Sequence, residues 1–122
     1  PFDHRLQRLV VSDLQRLTDF LKDTAAIVPN ADGALLLLAG NRGRVEDLYE
    51  RPDSLLWRDA GALIQTIHLS ATAYGQACCP LGVLGGGALD AIGMDDQLTA
   101  LGIVAIGSPV SDQAATSTNR SG

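Results

Sequence analysis

The stretch Trp57–Gly82, WRDAGALIQTIHLSATAYGQACCPLG, decides how the chain folds, because it reads as a long helix delivered by a tight turn into a short strand. From one residue upstream, Leu56, Ala60, Leu63, Ile64, Ile67, Ala71 and Tyr74 recur at steps of three or four, which stacks them on one face of a helix. A second stripe holds Arg58, Gly61, Gln65, His68 and Thr72, and Ala62, Thr66, Leu69, Ser70 and Ala73 cover the rest with small or apolar groups. So little of that surface suits water that the pattern predicts a central, buried helix with neighbours on most sides. Gly75 supplies a left-handed residue to close the last turn, and Gln76 an exit loop. The run Ala77-Cys78-Cys79-Pro80-Leu81 is too short for a helix and reads as a strand. Pro80 has no amide hydrogen, which puts it at that strand's end or on an edge.

Upstream, Ser12 followed by Gln15 is a capping pattern, and Leu14, Leu17, Phe20 and Leu21 continue with helical spacing, which predicts a surface helix over about Asp13 to Thr24. The segment before it, from Phe2 to Val11, reads as extended. Pro29, Asn30, Asp32 and Gly33 mark a turn. Ala34 to Ala39, ALLLLA, follow with no polar break, as in a strand buried on both faces. Arg44 to Glu50 reads as a short helix, interrupted by Pro52 before Ser54 caps the central one. Downstream, GVLGGG reads as a flexible connector without the Lys-Ser/Thr of a phosphate-binding loop. ALDAIGMDD reads as a brief helix and Thr99–Gly107, TALGIVAIG, as the last strand. Residues 108–122 carry no periodic pattern and read as a flexible or partner-ordered tail, leaving one domain over residues 1–107. Strands interleaved with helices predict a layered α/β or α+β architecture.

The chain has 122 residues, 46% of them apolar, enough for one real core. Nine basic residues against fourteen acidic ones give a formal charge of −5, which offers nucleic acid no electrostatic attraction. No apolar run approaches the roughly 20 residues of a membrane-spanning helix. Cys78 and Cys79 are adjacent, where a disulfide would be strained, so they read as free thiols in a reducing compartment, the cytoplasm. With only His4 and His68 and no carboxylates in helical register beside them, a metal site is not expected.

The helix, the Gly turn and the Cys-Pro-Leu-Gly strand end, followed by ALDAIGMDDQLTALGIVAIGSP, together resemble the C-terminal half of nitroreductase-like flavoenzymes. FDHRLQRL, the capped helix and the LLLLAG strand look most like the branch that oxidises azolines in modified peptides. The resemblance implies an α+β half-domain in which a central buried helix packs on a small mixed sheet. It also implies FMN at a subunit interface, a homodimer or a complementing N-terminal chain as partner, and a small-molecule or peptide substrate. The same resemblance puts Pro80, Leu81 and Gly82 along the flavin ring, where a turn without bulky side chains lets backbone amides approach. It gives Tyr49 a proton-transfer role and lets His68 and Trp57 line the substrate pocket. Departures accompany these matches. The Lys that precedes this Tyr in the azoline-oxidising branch is Leu48 here, and Ser111, Asp112 and Gln113 stand where a basic residue often follows the last strand. The family's phosphate-binding arginines belong to an N-terminal half outside this sequence, so flavin binding by the chain alone is not expected. Pro1, with no initiator Met, suits a piece of a larger or split enzyme.

Each candidate has a plainer reading. Buried cysteines behave as small apolar residues; a helical His more often bonds a backbone carbonyl; Tyr49 suits a surface turn equally well; Trp57 fits the core or a dimer interface. Three functions follow: an FMN-dependent oxidoreductase of nitroreductase type, a flavin-free interaction module built on the same core, or a small-ligand-binding domain with no flavin ancestry.

Overall fold

A computed structural model of the chain describes residues 5–28 and 32–109. The elements run α1 (Leu14–Ile27), β1 (Ala34–Gly40), α2 (Arg42–Glu46), α3 (Pro52–Ala73), β2 (Ala77–Pro80), α4 (Gly86–Ala91) and β3 (Thr99–Gly107). Their order is the one read from the sequence, and the class is α+β. Phe2, Pro29, Asn30 and residues 110–122 of the tail lie outside the described residues.

β3 takes the middle of a three-stranded sheet in the order β1-β3-β2. Its alternating β-branched and aliphatic residues have strands on both edges and helices on both faces, so residues 101–105 are all buried. Ile103 and Val104 retain 1% and 0% exposure, each worth about 1.5–3 kcal/mol of burial. Both neighbours are antiparallel to β3, with Leu36 across from Val104 on one side and Pro80 across from Val104 on the other. The expected mixed sheet is therefore corrected to a wholly antiparallel one. A bulge between Leu38 and Ala39 shifts the register, setting Leu38 opposite Gly102 and Ala39 opposite Ala100.

α3 covers one face. Leu56, Ala60 and Ala71 are buried, and Leu56 and Ala60 join Leu38, Leu101 and Val104 in a cluster flanked by Ile64, Ile67, Cys78 and Ile106. The rest of α3 is open: Trp57, Leu63, Leu69 and the following Tyr74 are exposed, as is Gln65. The helix periodicity thus gave most of the inner stripe, with Leu63 and Tyr74 corrected to exposed positions, and the expectation of a helix enclosed on most sides is overturned, since one sheet touches one stripe. β1 is corrected in the same way. It is an end strand with only Leu38 buried, because α3 lies over β3 and β2 and leaves β1 to one side.

α4 and α1 occupy the other face. A Cβ at Gly85 would sit 2.5 Å from Leu37 and 2.6 Å from Ile103, and the residue adopts φ +93°, so GVLGGG, expected as a flexible connector, is packed tightly at its fourth position. Gly75 has the left-handed φ of +69° expected at the end of α3. Two caps differ from expectation. Asp13, not Ser12, caps α1 by accepting from the Arg16 amide at 3.0 Å, while the Ser12 hydroxyl donates to the Ala91 carbonyl at 3.0 Å. The short helix expected over Arg44 to Glu50 is α2, which ends at Glu46 ahead of Pro52; Pro52 begins α3, where a missing amide hydrogen costs nothing, and Arg51 rather than Ser54 stands at the cap.

Candidate functional site

The strand end Pro80-Leu81-Gly82 is set by the turn at Gly75, which sends β2 back beneath α3. The amide of Leu81 donates to the Ile103 carbonyl at 2.8 Å and extends the ladder one step past Pro80. Pro80 has no donor and Leu81 has spent its own, so Gly82 carries the open amide of this strand end. A Cβ at Gly82 would meet nothing within 4 Å. The site is an exposed backbone shelf, not a closed cradle.

Ile64 marks the level of that shelf along α3, because its Cδ1 lies 3.6 Å from a Cβ placed on Gly102 and Gly102 is two residues before Val104, the partner of Pro80. Around the buried stripe, Asp59, Leu63, Thr66 and Ser70 turn toward β1. Helical phase puts Trp57 and His68 on the opposite flank, the one toward β2. At 1.5 Å per residue, His68 lies about 6 Å beyond Ile64 along the helix axis and Trp57 about 10 Å before it. Along the helix axis the two residues expected to line a pocket thus fall on either side of the level of the shelf, and neither lines the clefts beside β1. Both are exposed, Trp57 at 46%. The carbonyl of His68 accepts from the Thr72 hydroxyl at 2.9 Å.

Tyr49 is not part of this group. It follows α2, its amide donates to the Val45 carbonyl at 3.0 Å, and the side chain is exposed. Pro52, where α3 starts, is already about 18 Å along the axis from the level of Ile64. Within one chain, Tyr49 and the Pro80–Gly82 shelf are separate.

Alternation in β2 divides the two thiols. Cys78 faces α3 and is half-buried against the core, which pushes its pKa up, with the neighbouring Cys79 adding to the rise. Cys79 is exposed, and the two are not bonded to each other.

The best-defined charged group was missed by the sequence reading. Arg42 pairs with Glu46 one turn on and donates from Nε to Asp53 Oδ1 at 2.7 Å, joining α2 to the first turn of α3. The hydrogen bond from Arg42 holds the Asp53 carboxyl below its ordinary range, and the same bond raises the Arg42 guanidinium. The i, i+4 spacing of Arg42 and Glu46 and the Asn41 cap, which accepts from the Arg44 amide at 3.1 Å, were the available signals. Arg16 is likewise engaged, by Asp13 and Asp90.

Among the described residues, clefts border the sheet on both faces, and three of them include residues of β1. One of about 540 Å³ lies between α1 and β1, lined by Leu17, Leu21, Val28 and Leu35 among others. Two more run between α3 and β1 and share Leu36 and Ile67. Among the described residues no group of three or more His, Cys, Asp or Glu is arranged to hold a metal ion, and no helix is long and apolar enough to cross a membrane. Comparison with protein-family models, with curated proteins and with solved structures gave no match.

Proposed function

We propose that this chain is one part of an FMN-dependent oxidoreductase of nitroreductase type and contributes the wall along the flavin ring. The observation that carries the reading is the open backbone shelf of Pro80, Leu81 and Gly82, with Trp57 and His68 on either side of its level along α3. Its fit to FMN is partial. The Gly82 amide and the absence of a side chain there suit a flat ring. Arg42 and Arg16 are already engaged by carboxylates, and the resemblance leaves the phosphate end to an N-terminal half outside this sequence. A second chain is therefore required, either a second copy in a homodimer or a complementing N-terminal chain, and Tyr49 acts in proton transfer only if that chain carries the site to it. No reaction step is assigned to this chain alone. A small-molecule or peptide substrate would lie over the shelf against His68 and Trp57. The two unbonded thiols suit a reducing, cytoplasmic setting.

The second reading, a flavin-free dimerisation or interaction module, is favoured by the exposed apolar side chains of α3 and by the openness of the shelf. The two are separated by isolating the complete natural protein and reading its flavin absorbance. FMN that copurifies, and whose binding is weakened by Gly82→Val, supports the flavoenzyme. Protein that stays colourless and leaves the fluorescence of added FMN unquenched rejects it and leaves the interaction module.

A further inference from the structure

β1 carries four consecutive leucines, yet among the described residues its outer edge has no neighbour in the sheet and both its faces border open clefts. The same chain holds a segment of matching character. Leu6 to Val11, LQRLVV, is irregular and forms no ladder with β1, and Leu6, Leu9 and Val10 stand 104%, 56% and 82% exposed. Its far end is fixed, because the amides of Ser12 and Asp13 donate to the Ala91 carbonyl at 2.9 and 3.0 Å.

Length, faces and charge all fit. Six extended residues span about 20 Å and the seven of β1 about 23 Å. As a strand, the segment would turn Leu6, Arg8 and Val10 to one face and Gln7, Leu9 and Val11 to the other. The cleft between α1 and β1 has no charged lining residue and suits Leu9 and Val11. The α3-side cleft is apolar except for one carboxylate, Asp59, which forms no ion pair among the described residues and lies opposite the face that would carry Arg8. We propose that Leu6–Val11 of one copy adds as a strand to the outer edge of β1 in a second copy. The second copy returns the contact, and Arg8 meets Asp59 across the interface. Reciprocal exchange closes the assembly as a two-fold dimer and covers an edge that otherwise invites uncontrolled pairing.

The test is the molar mass of the full chain by light scattering across a concentration series. The unaltered protein should approach twice 12.8 kDa at tens of micromolar. Val10→Pro removes a ladder donor from a segment outside every helix and strand. It should leave the circular dichroism unchanged and return the mass to that of one chain. Arg8→Glu and Asp59→Arg should each weaken the dimer on the order of tenfold, and the double charge swap should restore it. A protein that is monomeric at every concentration overturns the proposal. So does a dimer that survives Val10→Pro, which would assign the contact to α3 instead, and so does a double swap no stronger than the single variants.

Discussion

β1 and β3 are hydrogen-bonded neighbours of similar apolarity, ALLLLAG against TALGIVAIG, and they meet opposite fates. β3 is buried from Leu101 to Ala105, whereas β1 buries Leu38 alone. Residue chemistry does not separate them. Position in the sheet does: among the described residues β3 has a strand on each side and a helix layer above and below, while β1 has one strand and two half-open faces.

The sharpest way to break this contrast is truncation in each strand. Ile103→Ala should cost about 2–5 kcal/mol in chemical unfolding, because the buried side chain has no room to relax. Leu36→Ala, at a position 36% exposed, should cost less than about 1 kcal/mol in the dilute, single-chain regime. Equal costs would mean that β1 is as enclosed as β3. Next comes the contact joining the two strands to the α4 loop. Gly85→Ala combines a left-handed backbone with a collision against Leu37 and Ile103, and should destabilise by about 1–3 kcal/mol in the same assay.

Smaller effects belong to the periphery. Asp53 has a folded-state pKa below its unfolded value, so its pair with Arg42 stabilises above the unfolded carboxylate pKa and is lost as pH falls through the lowered one. Asp53→Asn should flatten that acid limb by slightly lowering stability at neutral pH while leaving the acid end unchanged, a small effect because the pair is exposed. The raised guanidinium of Arg42 has the opposite sign, and its contribution is lost only at strongly alkaline pH. The thiols of β2 should alkylate in order, exposed Cys79 first and Cys78 more slowly, because burial withholds the Cys78 thiolate. Equal rates would mean that β2 opens from the α3 face.

The same contrast explains what the sequence could reveal. Thr99–Gly107 was read to the residue because glycine and proline bound it and its pattern agrees with its surroundings. The inner stripe of α3 was legible from the spacing of Leu56, Ala60, Ile64, Ile67 and Ala71. What periodicity cannot report is whether a second surface arrives to cover an apolar side chain, so the leucines of β1 and the outer residues Leu63, Leu69 and Tyr74 were read as enclosed. Ser12 was read as a cap because its partner, Ala91, is 79 residues away in the chain. Of the candidate site, the shelf at Gly82 followed from the Gly75 turn. The separation of Tyr49 followed from the length of α3, which a motif match does not measure.

The central claim is that β1 is unfinished in one chain and completed by another. Amide hydrogen exchange of Leu35 to Ala39 in the full chain, measured across a concentration series, tests it most directly. Protection of the outward-pointing amides of β1 should rise as concentration rises, while β3 stays protected throughout. Exchange in β1 that is indifferent to concentration would contradict the account.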